Sequence, residues 1–330
     1  MKQKILGQYF TSKNIFKNKI FLDWFNSIPK DDKEIILEPF AGKNGLIDML
    51  NEIKLIINYS SYDIEPQAEN VLHNDSLTNF PTGFSTCITN PPFLAKNIAT
   101  RKNIPVLVEP FADLYEKCLD LCLKNCQYVA AIVPESFIVS PFFKNRLFAV
   151  ISLSQKSLFD HTEHPVCLAL FNPGITDDFF VYLDEILIGK YHEKLNFINN
   201  WLGNFSYPNI IFHQPEGQLG LFNIDATDTS RKIHFDNGEL IDPKDVGYHA
   251  RLRTRISILT PKNKPLTKKQ LNKFINLSNQ TLNEYRTLTQ DMFLTSFKGL
   301  RSDGKYRRRL DYATARIIVA KTYQIFFQLD

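Results

Sequence analysis

The stretch with the clearest potential for chemistry is Asn90-Pro91-Pro92-Phe93, which follows a short apolar run at residues 86–89. Both prolines lack a backbone N–H and have a fixed φ angle, and Pro91 also favours an extended conformation at Asn90. The loop is therefore stiff, and it presents the Asn90 side-chain oxygen and the Pro91 carbonyl as hydrogen-bond acceptors beside the Phe93 ring. A planar ring with an exocyclic amine could stack on Phe93 and donate both N–H groups to these acceptors. Two fixed acceptors would favour a more nucleophilic nitrogen, which is a form of preorganised electrostatic catalysis.

Taken alone, the same tetrapeptide is more often an ordinary proline turn. Its position after a glycine-containing segment changes the interpretation. Residues 35–37 predict a buried parallel strand that leads into Glu38, Phe40 and Gly42, and a helix is predicted from about Leu46 to Ile53. A strand, a glycine-bearing turn and a helix start are typical of a nucleotide-binding element, because glycine lets the backbone approach a ligand closely.

Two further acidic residues follow predicted strands. Asp63 ends a strand predicted over residues 54–63, about twenty residues after the glycine turn, where dinucleotide-binding folds hold ribose hydroxyls. Asp75 ends a shorter strand predicted over residues 71–76. Since the carboxyl ends of parallel strands share one edge of a sheet, Glu38, Asp63, Asp75 and Asn90 are expected at a single edge.

This series of motifs resembles the gamma-class N6-adenine-specific DNA methyltransferases, which use S-adenosylmethionine. The segment Gly-Gln-Tyr-Phe-Thr at residues 7–11 is similar to their N-terminal motif, which also precedes the first strand. The sequence departs from the family pattern at Asn44, where glycine is usual. Asparagine tolerates left-handed geometry, so the turn is expected to persist, with Gly45 sharing the role.

The resemblance implies a role for each matching residue. Thr11 would bind the methionine carboxylate, Ile64 would pack on the cofactor adenine, and Asp75 would accept its N6–H. Phe159 would stack on the target base, although a core position is equally consistent for this residue, one of 27 phenylalanines. Phe111 would touch the cofactor adenine, although an ordinary core position is equally consistent. The catalytic set implied is Asn90, Pro91, Pro92, Phe93 and Phe159, and the cofactor-binding set is Thr11, Glu38, Phe40, Gly42, Asp63, Ile64, Asp75, Ser76, Asn90 and Phe111.

Composition limits the class of protein. The 330 residues are 44% hydrophobic and 22% charged, as in a folded soluble protein, and no run of about 18 apolar residues predicts a membrane span. Five cysteines without framework spacing indicate a reducing cytoplasm and buried, inert thiols. No metal site is expected, since His161 and His164 alone do not form a ligand set.

The charge is uneven along the chain. The net charge is +4, but residues 231–330 hold 20 Lys and Arg against 9 Asp and Glu, which suggests that this part faces a polyanion. Arginine suits phosphates and guanine edges. The predicted DNA-binding residues form two clusters: Arg251, Arg253 and Arg255, and Arg301, Lys305, Arg307, Arg308 and Arg309.

These observations predict an α/β protein with two domains. Residues 1–204 would form a Rossmann-like class I methyltransferase domain, a mixed sheet with helices on both faces. Residues 205–330 would form a smaller mixed α+β domain that recognises the DNA target. The expected partner is double-stranded DNA, with a separately encoded restriction endonuclease as a further candidate, and the protein is expected to be a monomer.

Other substrates remain open from the sequence. The same tetrapeptide occurs in methyltransferases that act on amino groups of ribosomal RNA and on a glutamine amide of release factors. Cytosine N4 is chemically possible, although that group more often has serine at the position of Asn90. A DNA-binding protein with an inactive Rossmann domain is the alternative from another class.

Overall fold

The chain folds into two compact units in the computed structural model, which describes residues 14–56, 58–94, 110–153, 165–203, 209–225, 232–246, 253–292, 294–296 and 308–328. Unit 1 comprises residues 1–192 with 300–305, and unit 2 comprises residues 193–299 with 306–330. The division therefore falls at 192/193, whereas the sequence analysis places the domain boundary at 204/205.

Unit 1 is organised around a nine-stranded sheet with the strand order β3-β2-β1-β4-β5-β7-β6-β8-β9. Strands β1 to β5 run parallel to one another, and their order is that of the doubly wound nucleotide-binding fold. Strand β7 is antiparallel to both β5 and β6. The strands are β1 Ile35–Glu38, β2 Asn58–Asp63, β3 Leu72–His73, β4 Thr86–Thr89, β5 Tyr128–Pro134, β6 Leu147–Ser152, β7 Val166–Phe171, β8 Phe180–Leu183 and β9 Ile186–Lys190.

The predicted Rossmann-like α/β fold is confirmed by this mixed, largely parallel sheet. Its centre is apolar because strands β4 and β7 are buried at every position. Strands covered on both faces carry nearly continuous apolar residues, and on this pattern the sequence predicts strands at residues 128–133 and 166–171, which correspond to β5 and β7.

Unit 1 contains the helices α1 Lys19–Ser27, α2 Gly45–Glu52 and α3 Leu114–Asn125, and the next helix along the chain is α4 Tyr191–Leu202. The sequence predicts one helix from Phe16 to Ile28, but the structure divides it into a short 3₁₀ helix, Ile15–Lys17, and α1. The break occurs at Asn18, which has an extended backbone and accepts hydrogen bonds from the amides of Ile20 and Phe21. This is the geometry of an asparagine N-cap.

All five cysteines are free and buried. Three of them, Cys118, Cys122 and Cys126, lie on or directly after α3, and the Cys122 sulfur lies 3.8 Å from the Cys87 sulfur. Burial raises the pKa of the Cys118 and Cys122 thiols. The raised pKa keeps these thiols protonated, and a protonated thiol is a poor nucleophile. The cysteines are therefore packed and unreactive, as the sequence predicts.

Unit 2 contains a four-stranded antiparallel sheet in the order β10-β13-β11-β12 and a two-stranded sheet of β14 and β15. Two long helices, α5 and α6, pack against each other, and α5 also packs on β12. Helix α4 belongs to this unit from Glu193 onward. The elements are β10 Ile210–Phe212, β11 Leu219–Phe222, β12 His234–Asn237, β13 Arg253–Ile258, α5 Lys268–Thr289, β14 Thr295–Ser296, β15 Arg308–Arg309 and α6 Tyr312–Gln328.

No helix in the described part of the chain combines the length and the apolar character needed to cross a bilayer.

Gly217 is a point of close backbone contact in unit 2, and its replacement by alanine is expected to destabilise the unit. A Cβ atom there would lie 2.6 Å from the Ile256 nitrogen and 2.9 Å from the Arg255 carbonyl carbon, both of which are backbone atoms of β13. We expect Gly217→Ala to lower the free energy of unfolding by about 2–3 kcal/mol, as for an overpacked core position. Chemical denaturation followed by tryptophan fluorescence measures this change. Gly174→Ala is the matched control, because its Cβ would meet nothing within 4 Å, and an equal decrease in both variants would contradict the prediction.

Candidate active site

The carboxyl ends of strands β1, β2, β3 and β4 lie at one edge of the sheet, because these strands are parallel and adjacent. Glu38 ends β1, Asp63 ends β2, and Asn90 directly follows β4. Backbone contacts continue the series, since the Asn74 amide after β3 donates to the Asp63 carbonyl at 3.0 Å. The structure therefore gathers at one edge the strand ends that the sequence analysis assigns to a single site.

Glu38 connects the glycine turn with the Asn-Pro-Pro-Phe loop. The Thr89 hydroxyl donates to Glu38 Oε1 at 2.7 Å, and the Phe40 amide donates to the same oxygen at 3.0 Å. The Asn90 backbone amide also hydrogen bonds to this carboxyl group. Glu38 is 1% exposed, and burial raises its pKa from 4.5 to about 8, against the opposing effect of the hydrogen bonds from Thr89, Phe40 and Asn90. The group is therefore largely neutral at pH 7.

Asp63 holds the glycine turn against the end of β2. The Gly42 amide donates to one carboxylate oxygen at 2.8 Å, and the Glu65 amide donates to the other at 2.8 Å. Gly42 has φ 53°, a left-handed conformation that glycine adopts without steric cost. Each carboxylate oxygen has two acceptor sites, so Asp63 retains capacity for a ligand hydroxyl. Burial raises the pKa of this carboxyl group.

Asn44 takes the left-handed conformation that the turn requires, with φ 65° and ψ 20°. Its side chain is buried, and the Ser61 hydroxyl donates to Asn44 Oδ1 at 2.7 Å. The turn therefore persists without glycine, as predicted. Gly45 has no left-handed φ angle and instead begins α2, so the expectation that it shares the turn's role is wrong.

Three predicted cofactor-binding residues lie beyond β2 and β3. The Asp75 carboxylate accepts from the Leu77 amide at 3.1 Å and the Thr78 hydroxyl at 3.0 Å, which closes a tight local turn. Ser76 is buried next to it. Ile64 is 52% exposed, so its apolar side chain, next to Asp63, is accessible for contact with a planar ring.

The catalytic loop is fixed at its far end by α3. The Leu94 amide donates to Asp113 Oδ1 at 3.0 Å, and the Leu114 amide donates to the Leu94 carbonyl at 3.0 Å. Asp113 is the N-cap of α3 and forms a capping box with Glu116. Leu94 and Leu114 belong to a small apolar cluster that Phe40 contacts. These contacts make the loop part of the domain core.

The apolar residues of the loop are packed into the protein. Pro91 and Phe93 are buried and Pro92 is half-buried. The Phe93 ring meets the Tyr115 ring edge-to-face, with centroids 6.1 Å apart. The ring that is predicted to face the substrate is therefore held in one orientation by α3.

Phe111 is also buried and lies in an aromatic cluster with Phe142 and Phe143, at centroid distances of 5.4 and 5.5 Å. The sequence predicts a helix that begins at Phe111 and runs to about Leu123, whereas the structure places Phe111 before the N-cap of α3, so the predicted start is wrong. The cluster gives Phe111 a packing role, and its contact with a cofactor stays a prediction.

Several supporting residues were not identified from the sequence. Thr89 and Asp113 hold the two ends of the catalytic loop, and Glu135, after β5, accepts from the Ser152 hydroxyl at 2.6 Å. The rule that located Glu38 and Asp63, an acidic residue at the end of a buried parallel strand, also finds Glu135. No local pattern identifies Thr89, because its role depends on a partner 51 positions away.

The predicted DNA-binding arginines differ in their environments. Arg255 is buried, with its guanidinium bonded to the carbonyls of Ile241 and Pro215. Arg308 donates to the Asp291 carbonyl at 2.9 Å, and its side chain is 16% exposed. Both arginines stabilise unit 2 internally. The buried Arg255 is therefore not placed to contact a nucleic acid, whereas contact through the half-buried Arg308 stays a prediction.

DNA contact through Arg253 and Arg309 stays a prediction. Arg253 pairs with Asp245 across an exposed surface, and its side chain is 41% exposed. Arg309 is half-buried on β15. The other predicted site residues lie outside the described residues: Thr11, Phe159, Arg251, Arg301, Lys305 and Arg307. The described part of the chain holds no group of acidic, histidine and cysteine residues that could bind a metal ion.

Comparisons with known proteins give weak similarities. No family model and no curated protein matches the sequence. A class I S-adenosylmethionine-dependent methyltransferase homologue from Listeria monocytogenes is 14% identical, with 52% of this chain and 65% of that chain covered and a TM-score of 0.38. The methyltransferase subunit of a type I restriction-modification system from Streptococcus thermophilus is 16% identical, with 53% and 47% covered and a TM-score of 0.36. The M protein of the type I restriction enzyme EcoKI is 13% identical, with 97% and 71% covered and a TM-score of 0.38.

The match spans about half to two thirds of the length of the first two of these proteins. The ends of strands β1, β2 and β4 are the part of the structure that bears on activity.

Proposed function

We propose that the protein is an S-adenosylmethionine-dependent DNA methyltransferase that modifies the N6 amino group of adenine. The observation that carries the proposal is the double attachment of the Asn-Pro-Pro-Phe loop. Glu38 binds the start of the loop through Thr89 and the Asn90 amide, and Asp113 binds its end at Leu94. A loop held at both ends keeps its acceptors fixed at the sheet edge that carries the glycine turn.

The residues at this edge fit the proposed cofactor. Gly42 leaves room for close backbone approach, Asp63 retains acceptor capacity for hydroxyl groups, and Ile64 offers an exposed apolar surface for a purine ring. The Glu38 carboxyl, at the end of β1, would accept from the cofactor's amino group. The proposed set is completed by Thr11, Phe40, Asp75, Ser76, Asn90 and Phe111. S-adenosylmethionine supplies an electrophilic methyl group on a sulfonium, which carries its own leaving group.

The protein's own contribution to the reaction is orientation and charge stabilisation. The Asn90 side-chain oxygen and the Pro91 carbonyl would accept the two N–H groups of the target amine. The resulting hydrogen bonds favour the tetrahedral nitrogen over the form conjugated with the ring. Phe93, whose ring is held by Tyr115, would face the purine, with Phe159 on the other side. The excess proton would leave to solvent after methyl transfer.

An adenine inside a duplex cannot reach these acceptors, so the target base must be flipped out of the helix. Flipping requires the protein to hold the duplex through its backbone. The basic C-terminal third is the proposed source of these phosphate contacts, which give salt-dependent affinity.

Alanine at Arg301, Lys305 and Arg307 together is expected to weaken DNA binding and flatten its salt dependence. Removing one phosphate interaction should reduce the slope of log K against log salt by about 0.9. Fluorescence anisotropy with one labelled duplex over a range of salt concentrations measures this slope. Alanine at the exposed Lys19, Lys30 and Lys124 removes the same charge from the N-terminal part of the chain and is the matched control. An unchanged slope in the first variant would remove these residues from the interface.

The experiment that tests the function is modified-base sequencing of DNA from cells that express the protein. The expected result is N6-methyladenine at one short sequence, absent from cells that express Asn90→Ala. N4-methylcytosine instead would assign the loop to the other amino-group substrate. Unmodified DNA, together with methylated RNA or protein in a labelled-cofactor assay, would overturn the proposal. A cofactor titration without binding would indicate an inactive Rossmann domain.

A further inference from the structure

Helix α5 carries a row of amide side chains on its solvent face. Asn276, Gln280 and Asn283 are exposed, and their spacing of four and three residues places them on one stripe of the helix. The opposite face of α5 is occupied, because its buried residues pack against α6 and β12. The packing of α5 within unit 2 therefore uses the buried face and not the amide stripe.

The stripe borders a groove of about 740 Å³ whose other wall includes the indole of Trp201. The Trp201 ring is held from one side by Lys321, whose ammonium lies 4.4 Å from the ring centroid and also donates to the Trp201 carbonyl. Such a cation–π contact fixes the orientation of the ring. Trp201 therefore marks the border of the surface on which the amide stripe lies.

We propose that this stripe reads base edges in the DNA substrate, with α5 lying in the major groove. The inference rests on the proposed function, which it extends from phosphate contacts to sequence recognition. Asparagine and glutamine pair in a bidentate manner with adenine N6 and N7, and carboxylates such as Glu284 accept from cytosine N4. A helix about 10–12 Å across fits the major groove, which is about 12 Å wide.

The charges along α5 favour DNA as the occupant over another protein. Lys268, Lys269 and Lys273 are exposed in its first two turns and can contact phosphates on either side of a groove. The side chains of Asn276 and Asn283 form no hydrogen bond with any other residue in the described part of the chain, so base contacts would break no internal bond. The stripe is therefore free to bind a ligand without loss of internal structure.

Gln280 differs from its two neighbours in having an internal partner. Its side-chain amide donates to Glu284 at 3.1 Å, and both residues are exposed. The pair presents an amide and a carboxylate together on the same face of α5. This combination offers both a donor and acceptors to a base pair.

Asn279, one residue away from the stripe, is a matched structural control. Its side chain accepts from the Phe235 amide at 2.8 Å and donates to the Phe235 carbonyl at 2.7 Å, which attaches α5 to β12. Asn279→Ala should therefore lower stability. Asn276→Ala with Asn283→Ala should leave the unfolding transition unchanged.

The test is selection of bound sequences from a pool of duplexes with a randomised centre, using the full chain. The wild-type protein is expected to enrich one motif. The double variant Asn276→Ala/Asn283→Ala is expected to lose preference for adenine at one or two positions by about 10- to 100-fold each. Its affinity for non-specific DNA and its salt slope should be unchanged, because phosphate contacts are retained.

An identical motif in the variant and the wild type would overturn the inference while leaving the proposed methyltransferase intact. A variant that methylates DNA at an unchanged site but elutes as a smaller species in gel filtration would also overturn the inference. That result would assign the groove to a protein interface. Failure of the wild-type protein to bind or methylate any duplex would instead count against the proposed function itself.

Fluorescence of Trp201 gives a second readout of the same inference. Trp24→Phe leaves Trp201 as the single tryptophan of the chain. Duplex DNA should quench this fluorescence more strongly when Asn276 and Asn283 are present than when both are alanine. Equal quenching in the two proteins would place the duplex away from the groove.

Discussion

Alanine at Asn90 is expected to lower the rate of methyl transfer by about 10²–10³-fold, the size of effect seen when one preorganised hydrogen-bonding group is removed from a transition state. The side-chain oxygen of Asn90 is buried, so an amine bonded to it would be shielded from competing water. The loop itself should survive the substitution, because its attachment to Glu38 uses the Asn90 backbone amide. Cofactor affinity should therefore change little.

Single-turnover transfer of a labelled methyl group to duplex DNA measures the rate, and calorimetric titration with S-adenosylmethionine measures cofactor affinity. Asn90→Ser retains an acceptor oxygen and is expected to lose less activity than the alanine variant. Asn51→Ala, an exposed asparagine on α2, controls for a general effect of the substitution. Turnover at the wild-type rate in Asn90→Ala would refute the catalytic assignment of this loop.

The site could be located from the sequence because each of its residues is marked by the residues directly next to it in the chain. Glu38 and Asp63 each follow a run of residues that marks a strand, and parallel strands bring their carboxyl ends together without any information about side-chain contacts. The left-handed turn at Asn44 was predictable for the same reason, since it depends on the preferences of one residue. Hydrogen bonds such as that from Thr89 to Glu38 depend on register between strands, which local patterns do not specify.

The C-terminal unit was harder to predict because its signals are not local. The alternation of side chains along β13 implies that Arg253 and Arg255 point to one face of the sheet. It does not indicate whether other parts of the protein pack against that face. In the structure Arg255 is buried, and its charge is satisfied by backbone carbonyls. Helix α6 was not predicted, since only Ala313, Gln324 and Gln328 are exposed along it, which leaves no polar stripe. A helix with so few exposed positions lacks the separate apolar and polar faces from which an amphipathic helix is predicted.

Stability of unit 1 is expected to fall as pH rises from about 4.5 to about 8, because Glu38 is buried at the sheet edge. The pKa of this carboxyl is raised from 4.5 to about 8 in the folded protein, chiefly by burial. Between these values the folded state holds a proton that the unfolded state has released, so the free energy of unfolding decreases with pH. A shift of this size corresponds to roughly 4–5 kcal/mol in total, at about 1.4 kcal/mol per pH unit.

Glu38→Gln isolates this contribution, because the amide cannot ionise and retains an acceptor for Thr89. Its free energy of unfolding should change little with pH between about 5 and 7, where that of the wild-type protein decreases by about 1.4 kcal/mol per pH unit. Lys144 acts in the opposite direction at higher pH: burial lowers its pKa to about 7, so its contribution makes stability rise with pH above that value. Urea denaturation of both proteins across this range gives the difference, in which the contribution of Lys144 cancels. Parallel pH profiles for the two proteins would contradict the assignment to Glu38.

The same carboxyl group should couple cofactor binding to proton release. A cationic amino group placed beside Glu38 would favour the carboxylate and lower its pKa, so binding at pH 7 should expel close to one proton from the neutral acid. Calorimetric titrations in buffers of different ionisation enthalpy count protons directly. The wild-type protein should release nearly one proton for each S-adenosylmethionine bound, and Glu38→Gln should release almost none. Binding to the wild-type protein without proton release would place the cofactor's amino group away from Glu38, since a cation next to a neutral buried carboxyl cannot leave its pKa unchanged.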